Sequence, residues 1–289
     1  MLTYWALFAA NEVACSIQAT PIPYPINCVK KGTIMSKFAA SLAIATALLS
    51  ASAFAETAKP TVVLVHGAFA DSSSWNDVTR ILQKDGYNVV AAANPLRSVS
   101  TDAAYVSSVV NHIKGPVVLV GHSYGGQVIT NAARETKNVK SLVYVAAFAP
   151  DAGEAAAELA GKFPGGTLGE ALSTPVKLAD GNVDLSIEQS KFHQQFAHDV
   201  SAEKAALMAA GQRPVTEAAL TEKSGAPAWK TVPSYFIYGD GDKNIPAQSL
   251  RFMAERAGSK HTVVIKGASH VVMVSHPQDV ATLIEEAAK

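Results

Sequence analysis

Pro116-Val-Val-Leu-Val-Gly-His-Ser-Tyr-Gly125 is the stretch that decides the fold. Its first five residues form a short β-branched run with the length of a buried strand. Gln127 to Thr136 behind it reads as a helix. A serine between two glycines at a strand-to-helix turn is a nucleophile elbow, in which a strained backbone pushes the Ser123 hydroxyl out at the end of a sheet. Glycine is expected at 121 and 125 because a Cβ at either position would collide with the crossing backbone. The motif alone can arise by chance in a Gly/Ser-rich loop. The strand before it and the helix after it give it meaning.

Outward from the elbow, similar short apolar runs recur at 61–65, 87–93, 139–148, 233–238 and 261–265. Each is too short for a helix and is bounded by Gly, Pro or polar residues. Helical faces lie between them: Trp75, Val78, Ile81 and Leu82; Tyr105, Val106, Val109, Val110 and Ile113; Val128, Ile129, Ala132 and Ala133; and near the end Val280, Leu283, Ile284 and Ala287. The last is introduced by Ser275-His-Pro-Gln278, read as a capping-box start with Ser275 as N-cap. Strand-helix alternation of this kind predicts an α/β fold, a mostly parallel sheet of about six strands with helices on both faces.

The alternation breaks between Asp151 and about Trp229. That stretch shows no strand-like run, is rich in Ala, Glu and Gln, and reads as a helical insertion with helices at 155–162, 187–198 and 202–211. An insertion after the C-terminal end of the 139–148 strand lies over the sheet edge where α/β proteins bind ligands. It is expected to be a lid.

The fold does not claim the whole chain of 289 residues. Met35-Ser-Lys-Phe opens a second beginning. An uncharged Ala/Leu/Ser run follows from Phe38 to Ala55 and ends in Ala53-Phe54-Ala55, a small-x-small cleavage site. Residues 35–55 are therefore read as a signal peptide. The rival is a membrane anchor, for which the run is short and poor in Leu and Ile. Residues 1–34 have no sustained period and read as a non-native upstream extension, or else as a long n-region. Export to the periplasm or the medium follows from this reading, with no stable membrane insertion after cleavage.

Residues 56–289 are long enough for one α/β domain with a full core. Without Lys30, Lys31, Lys37 and Glu12, they hold 21 basic against 23 acidic side chains. Nothing basic is left to grip a polyanion, so nucleic acid is not an expected partner. Both cysteines, Cys15 and Cys28, lie in the leading part. The domain then has no disulfide, no thiolate metal site and no cysteine nucleophile.

A serine hydroxyl is a weak nucleophile; it needs a base, and the base needs an orienting acid. Of eight histidines, His270 stands in Gly267-Ala-Ser-His270, just past the 261–265 strand and at the sheet end that carries the elbow. His66 and His122 are expected to be buried and bonded to backbone. His112 falls on a helix, His261 opens a strand at the wrong end, and His276 starts a helix. His193 and His198 lie in the lid, where His193 could touch a ligand or face solvent. The acid should follow another strand's C-terminal end, as Asp242 does in Gly239-Asp-Gly-Asp242-Lys-Asn-Ile-Pro246. Asp240 and Asp151 are the alternatives. Two backbone N–H donors must face the oxyanion. Tyr124, after the nucleophile, supplies one. Ala68 in His66-Gly67-Ala68-Phe69 supplies the other, with Phe69 in reserve.

Leu64-Val-His-Gly-Ala, the Gly-His-Ser-Tyr-Gly-Gly elbow and the Asp242 and His270 loops resemble the α/β-hydrolase superfamily over the whole of 56–289. Within it, Leu64–Trp75 and Val145–Asp151 are most similar to the small esterase group that includes plant methylesterases and hydroxynitrile lyases. The resemblance implies a Ser123/Asp242/His270 triad, no metal and no cofactor. It also implies a first antiparallel strand pair, for which only Thr57 to Pro60 is left here. The expected function is a serine hydrolase acting on small or medium carboxylic esters. A lyase, a cofactor-free perhydrolase or haloperoxidase, and a non-catalytic receptor are the rivals. A hydroxynitrile lyase needs a lysine or similar cation near the leaving group, and Lys243 is the nearest in sequence. Phe69, Phe192, His193 and Phe196 are candidate substrate contacts, and Phe163, Leu207 and Met208 further apolar lid residues.

Overall fold

A computed structural model describes residues 59–289. The signal-peptide and upstream-extension readings fall on residues outside that range.

The chain runs β1 (Thr61–Val65), α1 (Asn76–Lys84), β2 (Val89–Ala92), α2 (Val99–His112), β3 (Val117–His122), α3 (Tyr124–Ala132) and β4 (Val139–Val145). The insertion follows, with α4 (Ala156–Ala160), α5 (Leu168–Ala171), β5 (Val176–Lys177), β6 (Val183–Leu185), α6 (Gln189–Phe196), α7 (Ala202–Gly211), β7 (Val215–Thr216) and α8 (Glu217–Thr221). The chain then returns through β8 (Ser234–Gly239), α9 (Ala247–Arg256), β9 (His261–Ile265), α10 (Val272–Ser275) and α11 (Pro277–Ala287).

Six strands form one sheet in the order β2-β1-β3-β4-β8-β9, and every pairing in it is parallel. Val62–Val65, Val117–Val120 and Leu142–Val145 have no exposed surface, as continuous apolar strands covered on both faces must. Right-handed crossovers divide the helices by the direction in which the chain moves. From β1 to β2 it steps one way and carries α1 to one face, where α11 joins it. From β2 through β3 to β4 it steps back and carries α2 and α3, packed together, to the other. That reversal falls between β1 and β3. The loops leaving these two strands therefore flank a crevice, and such switch points are where open α/β sheets bind ligands.

Three local readings change. The buried face of α2 is Val99, Asp102, Ala103, Val106, Ser107 and Val110, and Tyr105 is exposed. A carboxylate sits in that face because Asp102 accepts from the Arg97 N–H and the Tyr124 hydroxyl. Hydrophobic periodicity cannot register a polar residue whose partners lie elsewhere. Ser275 does not cap the last helix: it closes α10, His276 holds the N-cap of α11, and the Ser275 hydroxyl pairs with His276 Nδ1. Finally, the insertion carries a three-stranded antiparallel sheet, β5-β6-β7, beside its helices. Strands of two or three residues are too short to show alternation. The three expected lid helices are present, with bounds close to those read.

Candidate active site

The elbow forms where the switch point is. Ser123 has φ 52° and ψ −123°, a region costly for a residue with a Cβ. The turn is held by Ser123 N–H on the Val145 carbonyl and by Gly126 and Phe148 N–H groups on the Ser123 carbonyl. A Cβ at Gly121 would stand 2.5 Å from the Gly125 carbonyl oxygen, and one at Gly125 would stand 2.5 Å from that of Val65. The strands and the helix can cross this closely only without side chains there.

Asp242, His270 and Ser123 form one hydrogen-bonded chain. His270 Nδ1–H donates to Asp242 Oδ2 at 2.6 Å, and His270 Nε2 stands 2.8 Å from Ser123 Oγ. All three residues are buried. The other Asp242 oxygen accepts the N–H groups of Asn244 (2.7 Å) and Ile245 (3.0 Å). The two alternative acids lie apart from this chain. Asp240 accepts from the Gly267 N–H, and Asp151 pairs with Lys230 at 2.7 Å on the surface.

His122, inside the elbow motif, donates from Nε2 to the His270 carbonyl oxygen at 3.1 Å. His66 donates from Nδ1 to the Gly67 carbonyl at 3.0 Å. Burial lowers the His66 pKa to about 4 and holds His122 well below its ordinary value, so both rings are neutral near pH 7. Burial also pushes Asp102 up, against the bonds it accepts from Arg97 and Tyr124.

Among the described residues, no backbone partner takes the Ala68 or Tyr124 N–H, whereas Phe69 N–H donates to the Arg213 carbonyl at 3.1 Å. Tyr124 is the first residue of α3, where a helix leaves its N–H groups free and positive. Gly67 lets the first loop approach: a Cβ there would come within 2.6 Å of Ser123 Cβ.

Ser123 and His270 open into a cavity of about 360 Å³. Phe69 and Phe196 line it. Phe192 does not; it is buried behind Phe196, with ring centroids 4.9 Å apart. His193 is also outside the cavity and bonds to the Val200 carbonyl at 2.8 Å. On a helix only one face reaches the pocket, and sequence could not fix which one. Phe163 packs on Phe252, while Leu207 and Met208 border a separate depression beside α1. The residues missed by the sequence reading are mostly aliphatic or small: Leu168, Leu172, Leu220, Ile245 and the Ala156–Ala160 side of α4. Asn244 could have been found, since it stands two residues past Asp242. Among the described residues, no three His, Cys, Asp or Glu side chains are grouped to hold a metal ion, and no helix is long and apolar enough to cross a membrane.

A family model described as the alpha/beta hydrolase family matches residues 62–283. The chain is an α/β-hydrolase. This hydrolase is 25% identical over 238 residues to an alpha-hydroxynitrile lyase of Arabidopsis thaliana, covering 75% of this chain and 92% of the lyase. It is 26% identical over 251 residues to salicylic acid-binding protein 2 of Nicotiana tabacum, covering 78% and 96%. The crystal structure of polyneuridine aldehyde esterase superposes with a TM-score of 0.68 at 20% identity, covering 80% of the hydrolase and all of that chain.

Proposed function

We propose that this hydrolase cleaves carboxylic esters of small or medium, uncharged substrates through a Ser123–His270–Asp242 triad and an acyl-enzyme. The observation that carries the reading is the unbroken hydrogen-bonded chain from Asp242 to Ser123, ending in a cavity with no Lys, Arg, Asp or Glu in its lining. A buried charge on the substrate would find no partner there, at a cost of several kcal/mol or more.

The chemistry follows from the distances. Ser123 Oγ attacks the ester carbonyl while His270 Nε2 takes its proton. Asp242 holds Nδ1–H and stabilises the imidazolium that forms. The Ala68 and Tyr124 N–H groups receive the developing oxyanion. The carbonyl reforms as the C–O bond to the alcohol breaks, and the alcohol leaves with the proton from Nε2. Water then attacks the acyl-enzyme, passing its proton through the same nitrogen and returning Ser123.

The similarity to a hydroxynitrile lyase makes cyanohydrin cleavage the second reading. Such a lyase needs a cation beside the departing cyanide. Lys243 is half-buried, lies outside the cavity lining, and donates to the Gln194 carbonyl at 3.2 Å. The charge-free pocket therefore favours the ester. Perhydrolysis would use the same triad with peroxide in place of water.

A serine-directed fluorophosphonate should label Ser123. A panel of p-nitrophenyl esters should be hydrolysed, neutral acyl chains in preference to carboxylate-bearing ones. Cyanohydrin cleavage without ester turnover would replace this reading with the lyase, and absence of labelling would leave only a receptor. We also propose export, on the strength of Lys37, the uncharged run after it and the Ala53-Phe54-Ala55 site.

A further inference from the structure

The lid does more than border the cavity. Where α6 runs out, residues 195–199 touch both loops that carry the base and its acid. On the acid side, Gln195 Nε2 donates to the Lys243 carbonyl (3.0 Å) and to Asn244 Oδ1 (3.2 Å). Asn244 Nδ2 returns a bond to the Gln195 carbonyl at 3.4 Å. On the base side, His198 Nε2 donates to the Gly267 carbonyl at 3.2 Å, and Asp199 Oδ2 accepts the Ser269 N–H at 3.0 Å. Between these ends the Phe196 ring packs edge-on against His270, with centroids 5.0 Å apart.

The two loops need such support. The β8–β9 ladder ends at Gly239 and Ile265, short of both Asp242 and His270. Beyond it three bonds near its end join the loops, from Asp240 N–H to the Ile265 carbonyl, Gly241 N–H to the Ala268 carbonyl and Gly267 N–H to the Asp240 carboxylate, and all three precede Asp242 and His270 in the chain. The Asp242–His270 contact of 2.6 Å therefore joins two segments that have left the sheet.

We propose that residues 195–199 act as a strap that sets the distance between the Asp242 and His270 loops, with Gln195 and Asp199 as positioning residues. The inference rests on the triad reading above. Neither Gln195 nor Asp199 lines the substrate cavity, and their bonds to the catalytic loops go mainly to main-chain groups. A strap thus predicts a loss confined to kcat, whereas a simple cover would change KM.

The test uses Gln195→Leu, Asp199→Ala and Asp199→Asn in the full protein, with a thermal melt on each. Gln195→Leu and Asp199→Ala should each lower kcat on a p-nitrophenyl ester, and the fluorophosphonate labelling rate, by about 10- to 100-fold, the usual cost of misplacing a catalytic group by about 1 Å. KM should hold. Asp199→Asn should recover most of the loss, since an amide oxygen still accepts the Ser269 N–H. The far-downfield proton resonance of His270 Nδ1–H should broaden in the two crippled variants and sharpen again in Asp199→Asn. Unchanged kcat, labelling and resonance in Gln195→Leu and Asp199→Ala, or a change in KM alone, would overturn the strap. Should Asp199→Ala fail to fold, Gln195→Leu reads the other end of the strap. If wild type turns over no ester, the labelling rate still reports the geometry. If wild type is not labelled either, the triad reading falls, and the resonance alone then decides whether the strap holds the two loops.

Discussion

Asp242→Asn is the substitution whose effect this geometry works out most fully. One Asp242 oxygen accepts two backbone N–H groups, from Asn244 at 2.7 Å and Ile245 at 3.0 Å, and the other faces His270 Nδ1. An asparagine must place its carbonyl on the two N–H donors. Turned the other way, it would strand both of them in a buried site at about 1–3 kcal/mol each. Its NH2 therefore faces His270 and donates to Nδ1. The ring then carries its proton on Nε2, aimed at Ser123, and cannot take the serine proton. The same exchange of acid for amide in a serine protease costs about 10⁴-fold in kcat, or about 5 kcal/mol in the barrier. Steady-state kinetics on a p-nitrophenyl ester, with a melt to verify folding, measures it. Asp240→Asn and Asp151→Asn should stay near wild type, because one ties down the Gly267 amide and the other a surface lysine. An Asp242→Asn enzyme within about tenfold of wild type would refute the reasoning, as would a comparable collapse at Asp151.

Ser123→Ala should abolish ester turnover and fluorophosphonate labelling while leaving the melt unchanged, since the hydroxyl packs little; purified variant that still turns over ester would remove Ser123 as nucleophile. Stability should fall on acidification. His66 stays neutral in the folded state down to about 4, while in the unfolded chain it protonates below its ordinary 6.5. The unfolded state then binds more protons, and stability drops between these two values by roughly 3 kcal/mol for this group, with His122 acting in the same direction. Urea midpoints at pH 7 and pH 4.5 measure this, and His66→Gln should flatten the slope; an unchanged slope would show that the ring charges in place. Expressed from Met35 in an exporting host, the protein should mature to begin at Glu56, and a chain of 56–289 should match longer ones in melt and activity. Intact mass decides the first half: a product still carrying Phe38–Ala55 would indicate an anchor.

The elbow, the six strands and the order serine, acid, histidine were legible because each is a local pattern. Glycines at 121 and 125 are demanded by a crossing only a few residues long. A strand buried on both faces must be continuously apolar, as Val117–Val120 is. Loops leaving the same ends of parallel strands share one edge of the sheet, which is why His270 could be placed on the side of Ser123 from sequence alone. The place of Asp242 in its loop favours it over Asp240 and Asp151, but all three follow strand ends, and only tertiary structure shows which of them reaches His270. Ala68 likewise reads ahead of Phe69 in one loop, and what only the fold shows is that the Arg213 carbonyl from the lid takes the Phe69 N–H. The lid was the least legible part. Its small sheet pairs segments far apart in the chain, and the helix face that Phe192 and Phe196 divide is fixed by packing against His122 and His270. The buried Asp102 was equally hidden, because its partners, Arg97 and Tyr124, reach it only once α2 and α3 are packed together. Sequence determines what short-range geometry compels. What depends on which distant backbone group arrives at a given spot is decided by the fold.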